Sequence, residues 1–115
     1  MRNLLGVYPD QGWVSIGERL DVGDHLMFVR RDGTSAMADL KRMVADIKRR
    51  TDSPPKAALY FSCVARGPNL FGKDSAELGT IADILGDVPL IGFFANGEIS
   101  NNRLYGYTGV LSLIL

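Results

Sequence analysis

The first third of the chain alternates short apolar runs with turn-forming residues. Leu4–Tyr8 and Trp13–Ile16 flank Pro9-Asp10-Gln11-Gly12, whose leading proline and closing glycine are typical of a turn. Together these segments predict a β-hairpin. After Gly23-Asp24, the run His25–Arg30 predicts a third strand.

A regular helical pattern follows Asp32-Gly33. The apolar positions that recur at helical spacing are Ala36, Leu40, Met43, Val44 and Ile47. Thr34 or Ser35 is the predicted N-cap, because a hydroxyl oxygen can accept from an amide of the first turn. The helix must end before Pro54, since proline disfavours a helical residue ahead of it.

The second half alternates strands with one further helix. Ala57–Cys63 is apolar almost throughout, which is typical of a strand buried on both faces. A second helix is predicted to begin at a capping box, Asp74–Glu77, and to end at Gly86. Its apolar side is formed by Leu78, Ile81, Ala82 and Leu85.

Two strands complete the predicted elements. Val88–Phe94 and Tyr107–Leu115 are apolar runs, and Asn101-Asn102 between them predicts a turn. Because strands come first and then alternate with helices, the predicted fold class is α+β (mixed α/β), a mixed β-sheet of about six strands with two helices packed on it. We expect the last strand to lie inside the sheet or under a partner, because so apolar a strand is rarely left at an open edge.

Length and composition indicate one globular domain, spanning residues 1–115. Of the 115 residues, 46% are hydrophobic and 23% charged, so wholesale disorder is not expected. The 13 basic and 13 acidic residues give a formal net charge of zero. A neutral chain argues against a nucleic-acid partner, which favours a basic face.

The cysteine count and the lengths of the apolar runs indicate the cellular compartment of the protein. A single cysteine, Cys63, cannot form an internal disulfide, which fits a reducing compartment. The N-terminal residues lack the long apolar region and cleavage site of a signal peptide, and no apolar stretch approaches the roughly 20 residues of a membrane helix. The sequence therefore predicts a soluble, cytoplasmic protein without a membrane partner.

A phosphate-binding pattern is nearly matched between the strand Ala57–Cys63 and the second helix. Gly67–Lys73 fits the first seven positions of G-x-x-x-x-G-K-[ST]. The eighth position is Asp74, where the pattern requires a hydroxyl for magnesium. A capping Asp74 would also direct its carboxylate at the amides that should hold phosphate, so a nucleotide site is not predicted.

Cys63 is the candidate nucleophile of the sequence. A nucleophilic thiol needs a neighbouring base, and the only histidine, His25, lies in a different predicted strand. A buried cysteine more often packs as a small apolar group, and a lone histidine makes no metal site. We therefore predict no catalytic residue, no metal and no cofactor, with a cysteine-dependent hydrolase as an alternative.

Two glycine-flanked loops carry the candidate ligand contacts. Arg66 and Glu98 each follow a predicted buried strand, and ligands of helix-covered sheets lie beyond the carboxyl ends of strands. Arginine can hold a carboxylate in a fork and glutamate can accept from an ammonium, so the pair suits a zwitterion such as an amino acid. The alternative is an Arg66–Glu98 ion pair that ties the loops together. The candidate ligand-binding residues are Cys63, Arg66, Gly67, Asn69, Phe94, Asn96, Gly97 and Glu98.

Motifs in both glycine loops carry a family resemblance. The most specific ones are Phe61-Ser62-Cys63 with Arg66-Gly67 and Leu70-Phe71-Gly72, followed by Gly92-Phe93-Phe94 with Gly97-Glu98-Ile99. In their order and spacing, the chain resembles the C-terminal domain of the FIST family (F-box and intracellular signal transduction proteins). Many members carry Asn-Gly where this chain has Val64-Ala65, which implies altered ligand contact through this loop.

The resemblance implies a non-catalytic intracellular sensory or signal-transduction domain that binds a small ligand such as an amino acid. It also implies an N-terminal FIST domain as a partner, and that upstream domain is expected to be absent from this chain. The alternative function is a protein-interaction module, an adaptor or dimerisation domain without a small-molecule ligand. Such a module would dock onto the N-terminal FIST domain or onto a second copy of itself.

Overall fold

The computed structural model describes residues 2–73 and 76–115. They divide into two compact units, the first ending at Arg30 and the second beginning at Arg31. The first unit contains the strands β1 (Leu4–Tyr8) and β2 (Trp13–Ile16). The second unit contains the remaining elements, and each unit is described by itself below.

The first unit is built on the predicted hairpin. β1 and β2 pair antiparallel, and a short 3-10 turn, Pro9–Gln11, connects them. Gly12 ends that turn with a φ of 70°, in the left-handed region that glycine adopts without a steric penalty. Tyr8 and Trp13 lie opposite each other, and their rings stack with centroids 3.9 Å apart. The predicted hairpin is confirmed.

The strand predicted at His25–Arg30 is wrong. This segment has no regular secondary structure, and Met27 and Phe28 are exposed. The run has the apolar composition of a strand, but a strand forms only where a second one supplies backbone hydrogen bonds. In the part of the chain that the structure describes, no strand pairs with this run.

The second unit combines helices with a mixed sheet. In chain order its elements are α1 (Gly33–Arg49), β3 (Ala57–Cys63), α2 (Gly67–Phe71), α3 (Ala76–Leu85), β4 (Leu90–Ala95), β5 (Glu98–Ser100), β6 (Arg103–Tyr105) and β7 (Gly109–Ile114). β3 is the central strand of the order β4-β3-β7, parallel to β4 and antiparallel to β7. The predicted α+β class with a mixed sheet is confirmed. The described strands number seven and divide among three sheets, since β1–β2 and β5–β6 form separate hairpins.

The last strand lies at an edge of this sheet. β7 pairs with β3 on one side, so among the described strands the expectation of an interior position is wrong. Ile114 is 48% exposed and Val110 42% exposed. Leu111 and Leu113 pack against the core, so burial within the described residues explains only the alternate apolar positions of β7.

Helices α1 and α3 pack on one face of the sheet. Alternation along β3 directs Ala58 and Tyr60 to this face, where both are buried. The core formed there consists of Leu40, Val44, Ala58, Tyr60, Ile81 and Leu85. On β4, Ile91 and Phe93 alternate to the other face and are 72% and 65% exposed. The described helices therefore cover one face of the sheet and leave β4 exposed on the other.

The N-cap of α1 is Asp32 rather than Thr34 or Ser35. The Asp32 carboxylate accepts from the backbone N–H of Ser35 at 2.8 Å and from the Ser35 hydroxyl at 2.7 Å. A carboxylate at the helix start also complements the positive end of the helix dipole. The predicted end before Pro54 is confirmed, because α1 ends at Arg49.

The helix α2 and the strands β5 and β6 lie where the sequence predicts loops and turns. Gly67–Phe71, the start of the phosphate-loop-like pattern, forms α2, with Pro68 in its first turn where its missing N–H is not needed. The predicted turn at Asn101-Asn102 is confirmed and connects β5 to β6. The predicted capping box of α3 begins at Asp74-Ser75, outside the described residues.

Candidate functional site

The two glycine loops leave the sheet at the same end. β3 and β4 are parallel neighbours, and Cys63 at the end of β3 pairs with Ala95 at the end of β4. Arg66 follows the first strand and Glu98 opens β5 after the second. The crevice beyond the carboxyl ends of these strands is the usual place for a ligand in a sheet covered by helices.

Arg66 forms an ion pair with Glu77 of α3 rather than with Glu98. Its Nη2 lies 2.7 Å from Glu77 Oε1, and its Nε donates to the same oxygen at 2.8 Å. The two side chains are 13% and 4% exposed. The alternative in which Arg66 and Glu98 neutralise each other is therefore wrong.

The carboxylate of Glu77 is surrounded by donors on the helix-covered face of β3. The Tyr60 hydroxyl donates to Oε1 at 2.5 Å, and the Ser62 hydroxyl donates to Oε2 at 3.0 Å. Tyr60, Ser62 and Glu77 are all buried. A buried carboxylate requires such partners, because its desolvation is otherwise too costly.

Sequence reasoning missed this role of Glu77. The capping-box interpretation placed it at a helix start, where a glutamate bonds to backbone amides. The signal was its spacing, because Glu77, Ile81 and Leu85 lie four residues apart and share one face of α3. A glutamate in register with two core residues is buried with them.

Burial and the neighbouring Glu77 carboxylate raise the pKa of Tyr60 from 10.0 to about 12. Between these values the unfolded chain loses the Tyr60 proton while the folded chain keeps it. The stabilisation is therefore present below about pH 10 and is lost as the pH rises towards 12.

We expect the Tyr60 contribution to the tyrosinate absorbance to appear near pH 12. The difference between the titration curves of the wild type and Tyr60→Phe isolates this group. Tyr8→Phe, at the partly exposed end of β1, serves as the matched control. A Tyr60 difference centred near pH 10 would contradict the buried contact with Glu77.

Arg66 also contacts the segment that leads into β7. Its Nη1 donates to the carbonyl oxygen of Tyr107 at 3.4 Å, a long hydrogen bond. Its Cζ lies 4.9 Å from the centroid of the Phe71 ring. The guanidinium is thus held between Glu77, α2 and residue 107, and its Nη1 is the least tightly bonded of its nitrogens.

Tyr107 has a backbone conformation that bulky residues seldom adopt. Its φ is 64°, in the left-handed region, which costs of order 1–3 kcal/mol and persists only where neighbouring contacts enforce it. The Cζ of Arg31 lies 4.4 Å from the centroid of the Tyr107 ring, and Arg31 Nη1 donates to the carbonyl of Ala65 at 2.8 Å. These contacts connect the Arg66 loop to the entry of β7.

Glu98 contacts the same segment from the other loop. Its Oε2 accepts from the Thr108 hydroxyl, whereas its Oε1 is buried and has no hydrogen-bond partner among the described residues. A buried carboxylate oxygen without a donor is unusual in proteins. Arg66 and Glu98 are thus brought to adjacent residues, Tyr107 and Thr108.

A cavity of about 330 Å³ lies between α1 and the start of β7 and is called the α1–β7 cavity. Its polar side chains include Asp39, Arg66 and Thr108. Its apolar wall includes Met43, Ile47 and Leu111. Charged and hydroxyl groups over an apolar wall are typical of a small-molecule site.

The other candidate residues are distributed around the loops. Cys63 is buried, and its backbone N–H donates to the carbonyl of Thr108 at 3.0 Å. The Phe94 ring packs against Gly67, where a Cβ would lie 2.8 Å from the ring. The remaining three are Asn69 and Asn96, which are exposed, and Gly97, which is partly buried.

Comparison with known proteins identifies the family. The family model described as the FIST C domain matches residues 1–101. The chain is 39% identical, over 119 aligned residues, to uncharacterized proteins MT0656 and Rv0628c of Mycobacterium tuberculosis. It is 37% identical to uncharacterized protein Mb0898c of Mycobacterium bovis. Each alignment covers the whole chain but 31% of the relative, so the chain spans about a third of the length of these curated relatives.

The predicted family is therefore confirmed by a match that includes both glycine loops. Over residues 2–73 and 76–115, none of the helices has the length and apolar character needed to cross a membrane. The chain belongs to the FIST C domain family, a family of signal-transduction sensory domains.

Proposed function

We propose that this domain is a non-catalytic cytoplasmic sensor that binds a small zwitterionic ligand, an amino acid with an apolar side chain, in the α1–β7 cavity. The observation that carries the proposal is the position of Arg66. Its guanidinium lines a cavity at the carboxyl end of β3, and its Nη1 makes only a long hydrogen bond, to Tyr107. A ligand carboxylate is a stronger acceptor for that N–H than a peptide carbonyl.

The other end of a zwitterion requires an acceptor. Asp39 lines the cavity with Arg66, and its carboxylate complements a ligand ammonium. Glu98 holds Thr108, another residue of the lining, and its Oε1 has no hydrogen-bond partner among the described residues. The apolar wall of Met43, Ile47 and Leu111 complements an aliphatic side chain such as that of leucine.

The backbone of Tyr107 supports a ligand role for this segment. Left-handed conformations of bulky residues cluster at ligand clamps, where the surrounding structure enforces them. Arg66 contacts the carbonyl of Tyr107 itself, and Glu98 holds the next residue, Thr108. A ligand bound between Arg66 and Thr108 would therefore act on both glycine loops at once, which is how a sensor couples binding to conformation.

Thermal unfolding with three matched probes tests the proposal. L-leucine is expected to raise the melting temperature with concentration, as linkage requires. Isoamylamine lacks the carboxylate and 4-methylpentanoate lacks the ammonium, so each is expected to stabilise less. No stabilisation by leucine or any other apolar amino acid, or equal stabilisation by all three probes, would contradict a zwitterion site.

Two variants locate the effect. Arg66→Lys keeps a positive charge beside Glu77 but removes the planar fork, and we expect it to weaken leucine binding by about tenfold or more. Met43→Trp is expected to block the cavity, because Met43 lines it. Ala45→Trp is not expected to block it, because Ala45 is exposed on the same helix and does not line the cavity. Equal leucine affinity in Met43→Trp and Ala45→Trp would place the ligand elsewhere.

A docking module without a small-molecule ligand is the second candidate function. The observation that favours it is the exposed apolar surface of β4 and β7, which includes Ile91, Phe93 and Ile114. A contiguous exposed apolar patch marks an interaction site in many proteins. Its expected partners are an N-terminal FIST domain or a second copy of the chain. Failure of every amino acid to stabilise the protein would favour this candidate over the sensor.

A further inference from the structure

The strand β4 is an open edge of the mixed sheet. The carbonyl oxygen of Pro89 accepts from the N–H of Ala58, and that of Ala95 accepts from the N–H of Val64. The backbone groups of residues 89 and 95 are therefore directed towards β3. Because backbone groups alternate along a strand, those of residues 90, 92 and 94 are directed away from β3. Among the described strands, none pairs with this side of β4.

This edge lacks the features by which proteins prevent strand pairing. Natural edge strands carry lysines, prolines or inward-pointing charges. Leu90–Ala95 consists of apolar residues and one glycine, Gly92. Ile91, Phe93 and Phe94 are 72%, 65% and 52% exposed. The strand therefore presents both unpaired backbone groups and apolar side chains.

A cavity separates helix α3 from the open edge. A cavity of about 380 Å³ extends along residues 90–94, and its opposite wall includes Leu78, Gly79 and Ala82. Two of these three residues are small, so the helix does not obstruct the edge. Peptides that extend a sheet bind in grooves of this kind, bounded by an edge strand and a helix.

We infer that β4 pairs antiparallel with β4 of a second copy of this chain. The segment that the edge can accept is extended, uncharged and apolar, with no proline, and β4 itself has this composition. An antiparallel pair about a two-fold axis joins the two three-stranded sheets into one of six strands. Electrostatics does not oppose it, since β4 has no charged residue and the formal net charge of the chain is zero.

The exposed area indicates a weak, concentration-dependent dimer. A buried aromatic side chain covers about 150–250 Å², so Phe93, Phe94 and Ile91 together offer on the order of 300–400 Å² per copy. A stable specific interface buries about 800 Å² per partner. The paired backbone and Leu78 add to the apolar area but leave the contact in the small, transient class. This inference does not depend on a small-molecule ligand.

Sedimentation over a range of concentrations, combined with amide hydrogen exchange, tests the inference. We expect reversible dimerisation, with slower exchange of the Leu90, Gly92 and Phe94 amides as the concentration rises. Ile91→Lys places like charges across the pair and is expected to weaken dimerisation by about tenfold or more. Ile99→Lys is the matched control, because Ile99 is 79% exposed on β5, outside this sheet, and dimerisation is expected to persist.

Four results would overturn the inference. One is a monomer at all concentrations up to roughly 1 mM. Another is a dimer that Ile91→Lys and Ile99→Lys weaken equally. The third is a dimer in which the Leu90, Gly92 and Phe94 amides exchange as fast as in the monomer, which would place the contact on another surface. If only an added protein that is not this chain protects these amides, the edge has a different occupant and the inference is likewise overturned.

Discussion

Glu77→Leu is expected to lower the free energy of unfolding by about 3–5 kcal/mol, because it leaves a buried cation without its partner. Arg66 is 13% exposed, and Glu77 Oε1 accepts from its Nε and faces its Nη2. The substitution also removes the acceptor of the Tyr60 and Ser62 hydroxyls. In a domain stable by about 5–15 kcal/mol, such a loss is severe.

A double-variant cycle separates the ion pair from simple packing loss. Arg66→Met alone leaves the Glu77 carboxylate buried with two neutral donors, and a loss of similar size is expected. In Arg66→Met/Glu77→Leu both charges are gone, so the loss is expected to be smaller than the sum of the single losses by at least about 2 kcal/mol. Urea unfolding of the four proteins measures this difference. Additive losses would contradict a coupled, buried pair.

Gly92→Ala is expected to destabilise the protein by about 3 kcal/mol, the upper part of the range for overpacking. A Cβ at this position would lie 1.6 Å from the carbonyl oxygen of Tyr60. That atom belongs to the backbone of β3, so a side-chain rotation cannot relieve the overlap. β4 must move away from β3, which weakens the parallel pairing that brings the two glycine loops together.

Gly79→Ala is the matched control for Gly92→Ala. Gly79 lies in α3, and nothing approaches within 4 Å of the position of its Cβ. Alanine in a helix interior is more stable than glycine by about 0.5–1 kcal/mol, so this variant is expected to gain stability. Equal effects of the two substitutions in urea unfolding would contradict the close approach of Gly92 to β3.

The elements predicted correctly are those whose signal is local. The helix α1 follows from the periodicity of its residues, the strand β3 from its continuous apolar run, and the β1–β2 hairpin from its turn residues. The failure at His25–Arg30 has a nonlocal cause, since apolar composition cannot specify whether a pairing partner exists. The N-cap of α1 lies two or three residues before the predicted Thr34 or Ser35, because the Asp32 carboxylate caps the amide of Ser35 and the helix already begins at Gly33.

The candidate site was only partly predictable for the same reason. The sequence correctly places Arg66 and Glu98 just beyond the ends of two strands that meet at one end of the sheet, because parallel strands have their carboxyl ends at the same edge. Glu98 itself opens the strand β5 rather than lying in a loop. It does not reveal that Arg66 pairs with Glu77, since that contact depends on how α3 packs over β3. The left-handed backbone of Tyr107 also has no signature in the sequence.

The most direct test of the central claim follows the N–H signals of the labelled protein by NMR during a titration with L-leucine. If Arg66 holds the ligand carboxylate, its Nε–H signal and the backbone amides of Tyr107 and Thr108 shift together and saturate. The double variant Arg66→Met/Glu77→Leu then shows no saturable shift of those amides. Absence of shifts up to about 10 mM leucine, or shifts that persist in the folded double variant, would contradict a ligand site built on Arg66.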